Sequence, residues 1–331
     1  MSVRFAAELA LAGLVSACAT AILARLAPRL GWTDDPRAAG AARKRQRRPV
    51  PAVGGAAILL ALALSPLTPW QPLGEELWGR WLPSAPWCLA SLLLVFAAGT
   101  WDDRAPLGPG RKVVAELVAL APLAAGAGLE HGAAGALALI GAGLVALNLL
   151  NTFDNADGAL GSLCALGFAG VAPLVSAACL GFLPLNLDAE RARNRASGAP
   201  SAYLGDAGAF VLAFLVVLAP RGAGLLVLPA LDLSRLALVR WRSGSRPWIG
   251  DRRHLAHRLE ARGLPRPLVA ATQCALAWPA CALVARALAV RDARLALVGV
   301  LATAALYALV LRVVPAAPSR AVPCPSQGGP E

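Results

Sequence analysis

The sequence is poor in charged residues, and this excludes most soluble folds. Only 15% of its 331 residues are charged and 57% are hydrophobic, with a mean hydropathy of +0.60. Soluble domains usually have about 25% charged and about 45–50% apolar residues. No stretch between the apolar runs is long enough to form a soluble domain. We therefore predict one integral membrane domain over residues 1–314 and a disordered, proline-rich cytoplasmic tail over 315–331.

The chain also lacks the patterns of disulfide-stabilised and zinc-binding proteins. Its seven cysteines have no paired spacing and lie mostly inside apolar runs, which is typical of small core residues. Only three histidines are present, and His254 and His257 have no further His or Cys near enough to complete a zinc site. No internal repeat of the kind found in secondary transporters is visible.

Apolar runs of about 15–22 residues recur along the whole chain and indicate membrane-spanning helices. They predict an all-α fold, a polytopic transmembrane helical bundle of about 10–11 spans. Residues 159–187 form one long apolar stretch with Pro173 in its middle, and because proline breaks or kinks helices we expect two short helices there. That gives eleven spans, with the N-terminus outside and the C-terminus inside. The predicted spans are residues 5–26, 54–67, 87–99, 112–128, 132–150, two within 159–187, 210–218, 225–238, 268–288 and 295–314.

Positive charge is concentrated in a few loops. Residues 43–48 contain five basic residues in six, and residues 240–266 contain eight arginines. Loops rich in Lys and Arg stay on the cytoplasmic side, so both are predicted to lie inside. The net charge of +12 does not indicate nucleic-acid binding, because the basic residues lie in short loops between spans. The loops either fix orientation only or also attract anionic lipids and phosphate-bearing substrates.

A polar stretch over residues 148–158 closes the apolar run before it. Asn148, Asn151 and Asn155 recur at i, i+3 and i+7, so a helix would place them on one face. Clustered polar groups at the mouth of a membrane span usually indicate function. The alternative is a solvated helix end, where polar side chains satisfy the last carbonyl groups.

Two adjacent carboxylates, Asp102 and Asp103, follow another predicted span. Such a pair repels itself unless a cation or a proton intervenes. Mg²⁺ suits the position, because it prefers a few carboxylates together with waters and substrate phosphates. The alternative is a solvated loop in which the carboxylates pair locally with Arg104.

A further carboxylate, Asp206, opens a predicted span between Gly205 and Gly208, where small neighbours would let a ligand come close. Asp206 could instead cap the helix that follows. Asp232 lies inside a span and either pairs with Arg235 at i, i+3 or faces a polar cavity.

The arginine-rich loop holds His254 and His257, which we expect to lie in an exposed loop. A phosphate or sugar clamp fits them better than a zinc site, and the alternative is a basic, solvated loop. All of the polar stretches fall on the same predicted side of the membrane, which favours one shared site.

Taken in order, six motifs resemble those of the bacterial polyprenyl-phosphate N-acetylhexosamine-1-phosphate transferases. Those multi-span enzymes move a sugar-1-phosphate from a UDP-sugar to a membrane lipid phosphate and release UMP. The details look more like the UDP-GlcNAc branch than the muramyl-pentapeptide branch. The matching segments are Arg43 to Gly55, Gly99 to Asp103, Asn148 to Gly158, Gly181 to Asn186, Tyr203 to Gly208 and Asp251 to Leu259.

The resemblance implies a role for each candidate residue. Asp102 and Asp103 would be catalytic, with Asp102 deprotonating or orienting the lipid phosphate. Asp103 and Asp206 would lie beside Mg²⁺, with Mn²⁺ as the alternative metal. The residues implied to line the nucleotide-sugar cleft are Asn148, Asn151, Asp154, Asp157 and Asn186. Those implied to hold phosphate or sugar groups are Lys44, His254, His257 and Arg258.

The implied partners are a UDP-N-acetylhexosamine, a polyprenyl phosphate and membrane lipid, with no nucleic acid and with homodimerisation left open. The implied location is the bacterial cytoplasmic membrane, with the active site on its cytoplasmic face. The sequence departs from the family pattern at Gln46, Ala256, Glu116 and Ala209. These departures leave open a catalytically weakened relative that acts as a lipid-binding or scaffold protein. A secondary transporter is the other alternative.

Overall fold

The computed structural model describes residues 2–36, 48–64, 82–188, 200–244 and 253–314. These residues form an all-α polytopic protein, with one pair of two-residue strands, β1 (Thr33–Asp34) and β2 (Val50–Pro51). The described helices are α1 (Val3–Leu26), α2 (Gly54–Ala63), α3 (Ala85–Arg104), α4 (Pro109–Phe153), α5 (Ala159–Phe168), α6 (Pro173–Asn186), α7 (Gly205–Leu218), α8 (Val227–Arg242), α9 (Leu255–Ala261), α10 (Arg266–Val290) and α11 (Ala293–Val313).

Six described helical segments are long and apolar enough to cross a membrane. They are Val3–Leu30, which includes α1; α3; α4; Pro220–Arg242, which includes α8; α10; and α11. The helices α2, α5, α6 and α7 lie at predicted spans but have only 10 to 14 residues. At 1.5 Å per residue they extend about 15 to 21 Å, less than the hydrocarbon thickness of about 30 Å.

The longest helix, α4, is a hairpin of two antiparallel arms. Its 45 residues would extend roughly 67 Å if straight, more than twice the membrane core. Gly132 interrupts it with φ 72° and ψ −175°. The arms then fold together, because a Cβ placed on Gly143 would lie 2.6 Å from Leu120 Cδ1. Lys112 and Asn151, 39 residues apart, are also in contact. The two predicted spans at 112–128 and 132–150 are therefore confirmed as helices.

The predicted break near Pro173 is also confirmed. α5 ends at Phe168, and α6 begins at Pro173, whose fixed φ and missing N–H suit the first turn of a helix. Ser176 Oγ donates a hydrogen bond to the carbonyl oxygen of Ala165 at 2.6 Å, which ties the two short helices together.

Backbone-to-backbone packing of α2, α3 and α7 positions the candidate site. A Cβ on Gly99 would lie 2.5 Å from Ala207 Cα, and a Cβ on Gly55 would lie 2.5 Å from Gly208 N. Small residues permit such close helix approach in membrane bundles. As a result, the start of α7 lies directly beside the end of α3.

Candidate functional site

Four helix ends meet at one place and bring polar side chains together. Asp102 and Asp103 lie in the last turn of α3, and Asp206 lies in the first turn of α7. Lys112 lies in the first turn of α4, and Asn151 lies near the end of its second arm. We call these five residues the carboxylate–lysine cluster.

Lys112 provides the positive charge of this cluster. Its Nζ lies 2.7 Å from Asp102 Oδ2, 3.5 Å from Asp206 Oδ1 and 2.9 Å from Asn151 Oδ1. Asp102 is 6% exposed, and its other oxygen accepts a hydrogen bond from the Leu107 amide at 2.6 Å. Ion pairing together with further hydrogen bonds offsets the desolvation penalty of a buried carboxylate.

Asp103 caps the start of α7 from a different helix. Its Oδ1 accepts from the Asp206 amide at 2.7 Å, and its Oδ2 accepts from the Ala207 amide at 3.1 Å. The first amides of a helix lack partners within the helix and favour negative charge. This cap accounts for α7 beginning at Gly205, five residues before the predicted start of the span at Phe210.

Gly205 is needed for the chain to enter this cap. Its φ is +78°, a left-handed backbone conformation that residues other than glycine rarely adopt. A Cβ at this position would also lie 2.8 Å from Asp103 Oδ2. The capping alternative for Asp206 is not supported, because Asp103 provides the cap while the Asp206 carboxylate accepts a hydrogen bond from Asn151 Nδ2.

A second polar pair joins the arms of α4 one helical turn from Lys112 and Asn151. Asn148 Nδ2 donates to Glu116 Oε2 at 2.7 Å, and Glu116 is fully buried. Asn155 does not share a helix face with Asn148 and Asn151, because α4 ends at Phe153. The predicted i, i+3, i+7 face is therefore wrong at its last member.

The turn after α4 brings another carboxylate near the cluster. Asp154 is half-buried, and its pKa is raised well above the ordinary value. The main cause is burial, and the negative charges of Asp206, Asp157 and Asp103 add to it. Asp157 Oδ2 lies 2.9 Å from Arg266 Nε, which links this turn to the start of α10.

Asn186 is buried and bonds to backbone on both sides. Its Oδ1 accepts from the Gly158 amide at 2.6 Å, and its Nδ2 donates to the Ala202 carbonyl at 2.9 Å. The structure therefore gives Asn186 a positioning role, holding the turn after α4 beside the segment that leads into α7. Its predicted contact with a nucleotide sugar stays a prediction.

The expectation that His254 lies in an exposed loop is wrong. His254 is 6% exposed, and its Nδ1 lies 2.7 Å from Asp232 Oδ2. Asp232 Oδ1 accepts from Tyr307 OH at 2.7 Å and from Arg235 at 3.0 Å. Of the two alternatives for Asp232, the structure shows the pair with Arg235, and the four residues join α8, α11 and the start of α9 into a buried network.

His257 and Arg258 lie on α9 rather than in an open loop. His257 is half-buried, with its Nδ1 3.2 Å from Glu260 Oε2. Arg258 is 8% exposed and donates to the carbonyl oxygens of Leu311, at 3.2 Å, and Val314 at the end of α11. Burial and the nearby Arg235 lower the pKa of Arg258. The predicted phosphate or sugar contacts of both residues remain untested.

Some predicted site residues lie outside the described ranges, and several residues that contact the predicted ones were not identified from the sequence. Lys44, Gln46 and the basic stretch 43–47 lie outside the described residues. Lys112 and Glu116 were not assigned site roles. Lys112 and Glu116 are four residues apart, and Asn148 and Asn151 are three residues apart. If the two segments form an antiparallel hairpin, one pair can face the other, and this pattern could have indicated the contacts. Tyr307 and Arg266 had no local signal.

The donor chemistry of the cluster fits Mg²⁺, although no complete cage is present. Among the described residues, no three His, Cys, Asp or Glu side chains are arranged to hold a metal ion. Mg²⁺ usually takes only one or two carboxylates and completes its shell with waters and substrate phosphates. Asp206 fits such a ligand, and each Asp103 oxygen keeps a lone pair beyond its amide contact.

Comparison with known proteins adds no functional assignment. The chain matches no protein-family model and no curated protein. The sequence motifs and the geometry of the cluster are therefore the features that indicate a function.

Proposed function

We propose that this protein transfers an N-acetylhexosamine-1-phosphate, in first place GlcNAc-1-phosphate, from a UDP-sugar to a polyprenyl phosphate and releases UMP. The proposed site is the carboxylate–lysine cluster, on the cytoplasmic face of a bacterial cytoplasmic membrane. The observation that carries the proposal is the meeting of Asp102, Asp103, Asp206, Asn151 and Lys112, which come from helix ends far apart in sequence.

The reaction requires two anions to approach each other. An oxygen of the lipid phosphate attacks the β-phosphorus of the UDP-sugar, and the bond to the α-phosphate oxygen breaks as UMP leaves. Phosphoryl transfer depends mainly on positioning and on charge stabilisation. Bound Mg²⁺ would neutralise the diphosphate and polarise it.

Lys112 and the carboxylates would divide the remaining work. The Lys112 ammonium lies within reach of Asp102 and Asp206, so an incoming phosphate oxygen can replace either carboxylate as its partner. Asp102, released from that pair, would accept the proton of a monoprotonated lipid phosphate or orient its oxygens. Asp206 and Asp103 would hold the metal. Asp154 lies close enough to Asp206 and Asp103 that their negative charges raise its pKa.

The nucleotide sugar would lie on the side of the cluster facing α10. Asp157 and Arg266 form an ion pair there, next to Asp154. Asn148 is exposed although it is bonded to Glu116, so it remains open to a ligand. A secondary transporter is disfavoured, because such proteins bind substrate near the bilayer midplane between repeats, whereas these groups lie at helix ends.

The decisive assay offers purified protein a panel of UDP-sugars with undecaprenyl phosphate and Mg²⁺, and measures UMP and the mass of the lipid product. We expect UMP release with a UDP-N-acetylhexosamine and loss of that release in Asp206→Asn. Retention of bound polyprenyl phosphate without UMP release from any sugar would favour the catalytically weakened, lipid-binding alternative.

A further inference from the structure

An apolar groove runs between α3 and the first arm of α4. It encloses about 470 Å³ and is lined almost entirely by apolar side chains, among them Leu94, Ala97, Ala98, Val114 and Val118. The groove follows one face of each helix, and residues 94 to 101 alone extend about 10 Å along α3 at 1.5 Å per residue. The groove therefore lies along both helices.

One end of this groove adjoins the carboxylate–lysine cluster. Trp101 and Arg111 line the groove and directly precede Asp102 and Lys112 in the chain. Leu107, another lining residue, donates its amide to Asp102. A molecule lying in the groove would thus have one end beside the cluster and the other end in the apolar part of the bundle.

The charge at this end favours an anionic head group. Arg111 is exposed and has no ion-pair partner among the residues that the structure describes, while Lys112 lies one residue further on. Arginine is a frequent partner of phosphate groups. Basic residues placed at the end of an apolar groove suit an amphiphile that has a long apolar chain and a terminal phosphate.

We propose that this groove binds the phosphate-proximal isoprene units of the polyprenyl phosphate, with its phosphate directed towards Arg111 and Lys112. The inference rests on the proposed function, because the lipid substrate is defined there. Phosphatidylglycerol also has apolar chains and a phosphate, so it serves as the competing lipid in the binding experiment below. The groove would set where the attacking phosphate stands relative to Asp102.

Filling the groove tests this assignment kinetically. Ala97→Phe and Ala115→Phe should each raise the KM for undecaprenyl phosphate about tenfold, equivalent to about 1.4 kcal/mol of binding. Their KM for the UDP-sugar should stay unchanged. Leu93→Phe and Leu117→Phe are matched controls, because they lie on the same helices, are exposed and do not line the groove. Equal KM values in all four variants would overturn the proposal.

A binding experiment keeps this inference separate from the proposed activity. The full-length protein is irradiated with a benzophenone-tagged C15 isoprenyl monophosphate, and the labelled peptides are mapped. We expect label on α3 and on the first arm of α4, displaced by undecaprenyl phosphate but not by phosphatidylglycerol. Label elsewhere, or equal displacement by phosphatidylglycerol, would refute the site. Absence of UMP release in the unmodified protein would refute the function instead.

Discussion

Asp103→Asn and Asp206→Asn make a matched pair of isosteric substitutions with different expected effects on stability. Asp103 accepts two backbone amides at the start of α7, whereas Asp206 bonds to Asn151 and faces Lys112. Asp103→Asn turns one accepting oxygen into an NH₂ donor that cannot bond to an amide N–H. Asp206→Asn keeps an oxygen that can still accept from Asn151. We expect only the first substitution to destabilise the fold, and both to abolish UMP release.

The magnitudes follow from the contacts. A hydrogen bond to a charged group contributes about 1.5–3 kcal/mol, and Asp103→Asn removes one such bond and neutralises the acceptor of the other. Relief of repulsion with Asp206 offsets part of this, which leaves a net loss of about 1–3 kcal/mol. The Lys112–Asp206 pair is 3.5 Å long with the Asp206 side chain one-third exposed, and such pairs contribute about 0–1 kcal/mol.

The assay is thermal unfolding in detergent, followed by tryptophan fluorescence with EDTA present so that metal binding cannot contribute. The Tm of Asp103→Asn should fall by several degrees and that of Asp206→Asn should stay close to the unmodified value. Equal Tm values for both variants would show that the Asp103 cap contributes nothing. Near-normal UMP release by Asp206→Asn would remove Asp206 from the proposed metal site.

Four other predictions concern single positions. Gly205→Ala should lower the Tm more than Gly31→Ala. Both glycines have positive φ, but of the two only Gly205 would bring a Cβ against another residue, Asp103. Equal decreases in Tm would show that backbone strain alone accounts for the effect. Asp232→Asn should lower the Tm and weaken UDP-sugar use, since it uncouples His254 and Tyr307; unchanged kinetics would make that network purely structural. Burial favours the protonated form of Asp154 in the folded state, so without divalent cations its contribution to stability should fall as pH rises above about 4. Titration of the Tm should show that Asp154→Asn reduces this slope, and an unchanged slope would contradict the prediction. In a cysteine-free background, single cysteines at Arg104 and Arg253 should react with an impermeant thiol reagent from the same side of the membrane, and opposite sides would refute the single-site topology.

Much of the fold was predictable, because its signals are local. Long apolar runs predicted the helices, and Pro173 predicted the break between α5 and α6. The start of α7 was predicted at Phe210 instead of Gly205, because the cap that extends it comes from Asp103, about a hundred residues earlier. Hydropathy averages over a window and cannot show which helix end meets another.

The candidate site was predictable in its carboxylates and amides, and less so in their partners. Asp102, Asp206 and Asn151 do come together, as the shared side of their loops indicated. His254 was expected in an exposed loop because arginines flank it, but the buried Asp232 draws it inward. That pairing depends on tertiary contacts that no local pattern contains.

The glycine contacts among α2, α3 and α7 limit how these three helices can move relative to one another. Helices that touch through side chains can slide by exchanging rotamers, but helices whose backbones touch have no such compressible layer. Gly99 therefore locks the start of α7 to the end of α3, and Gly55 and Gly208 lock it to α2. Asp103 and Asp206 should keep one separation through every step of the proposed reaction. Any opening and closing around the proposed substrates would then be carried out by other parts of the chain, moving against a fixed pair of carboxylates.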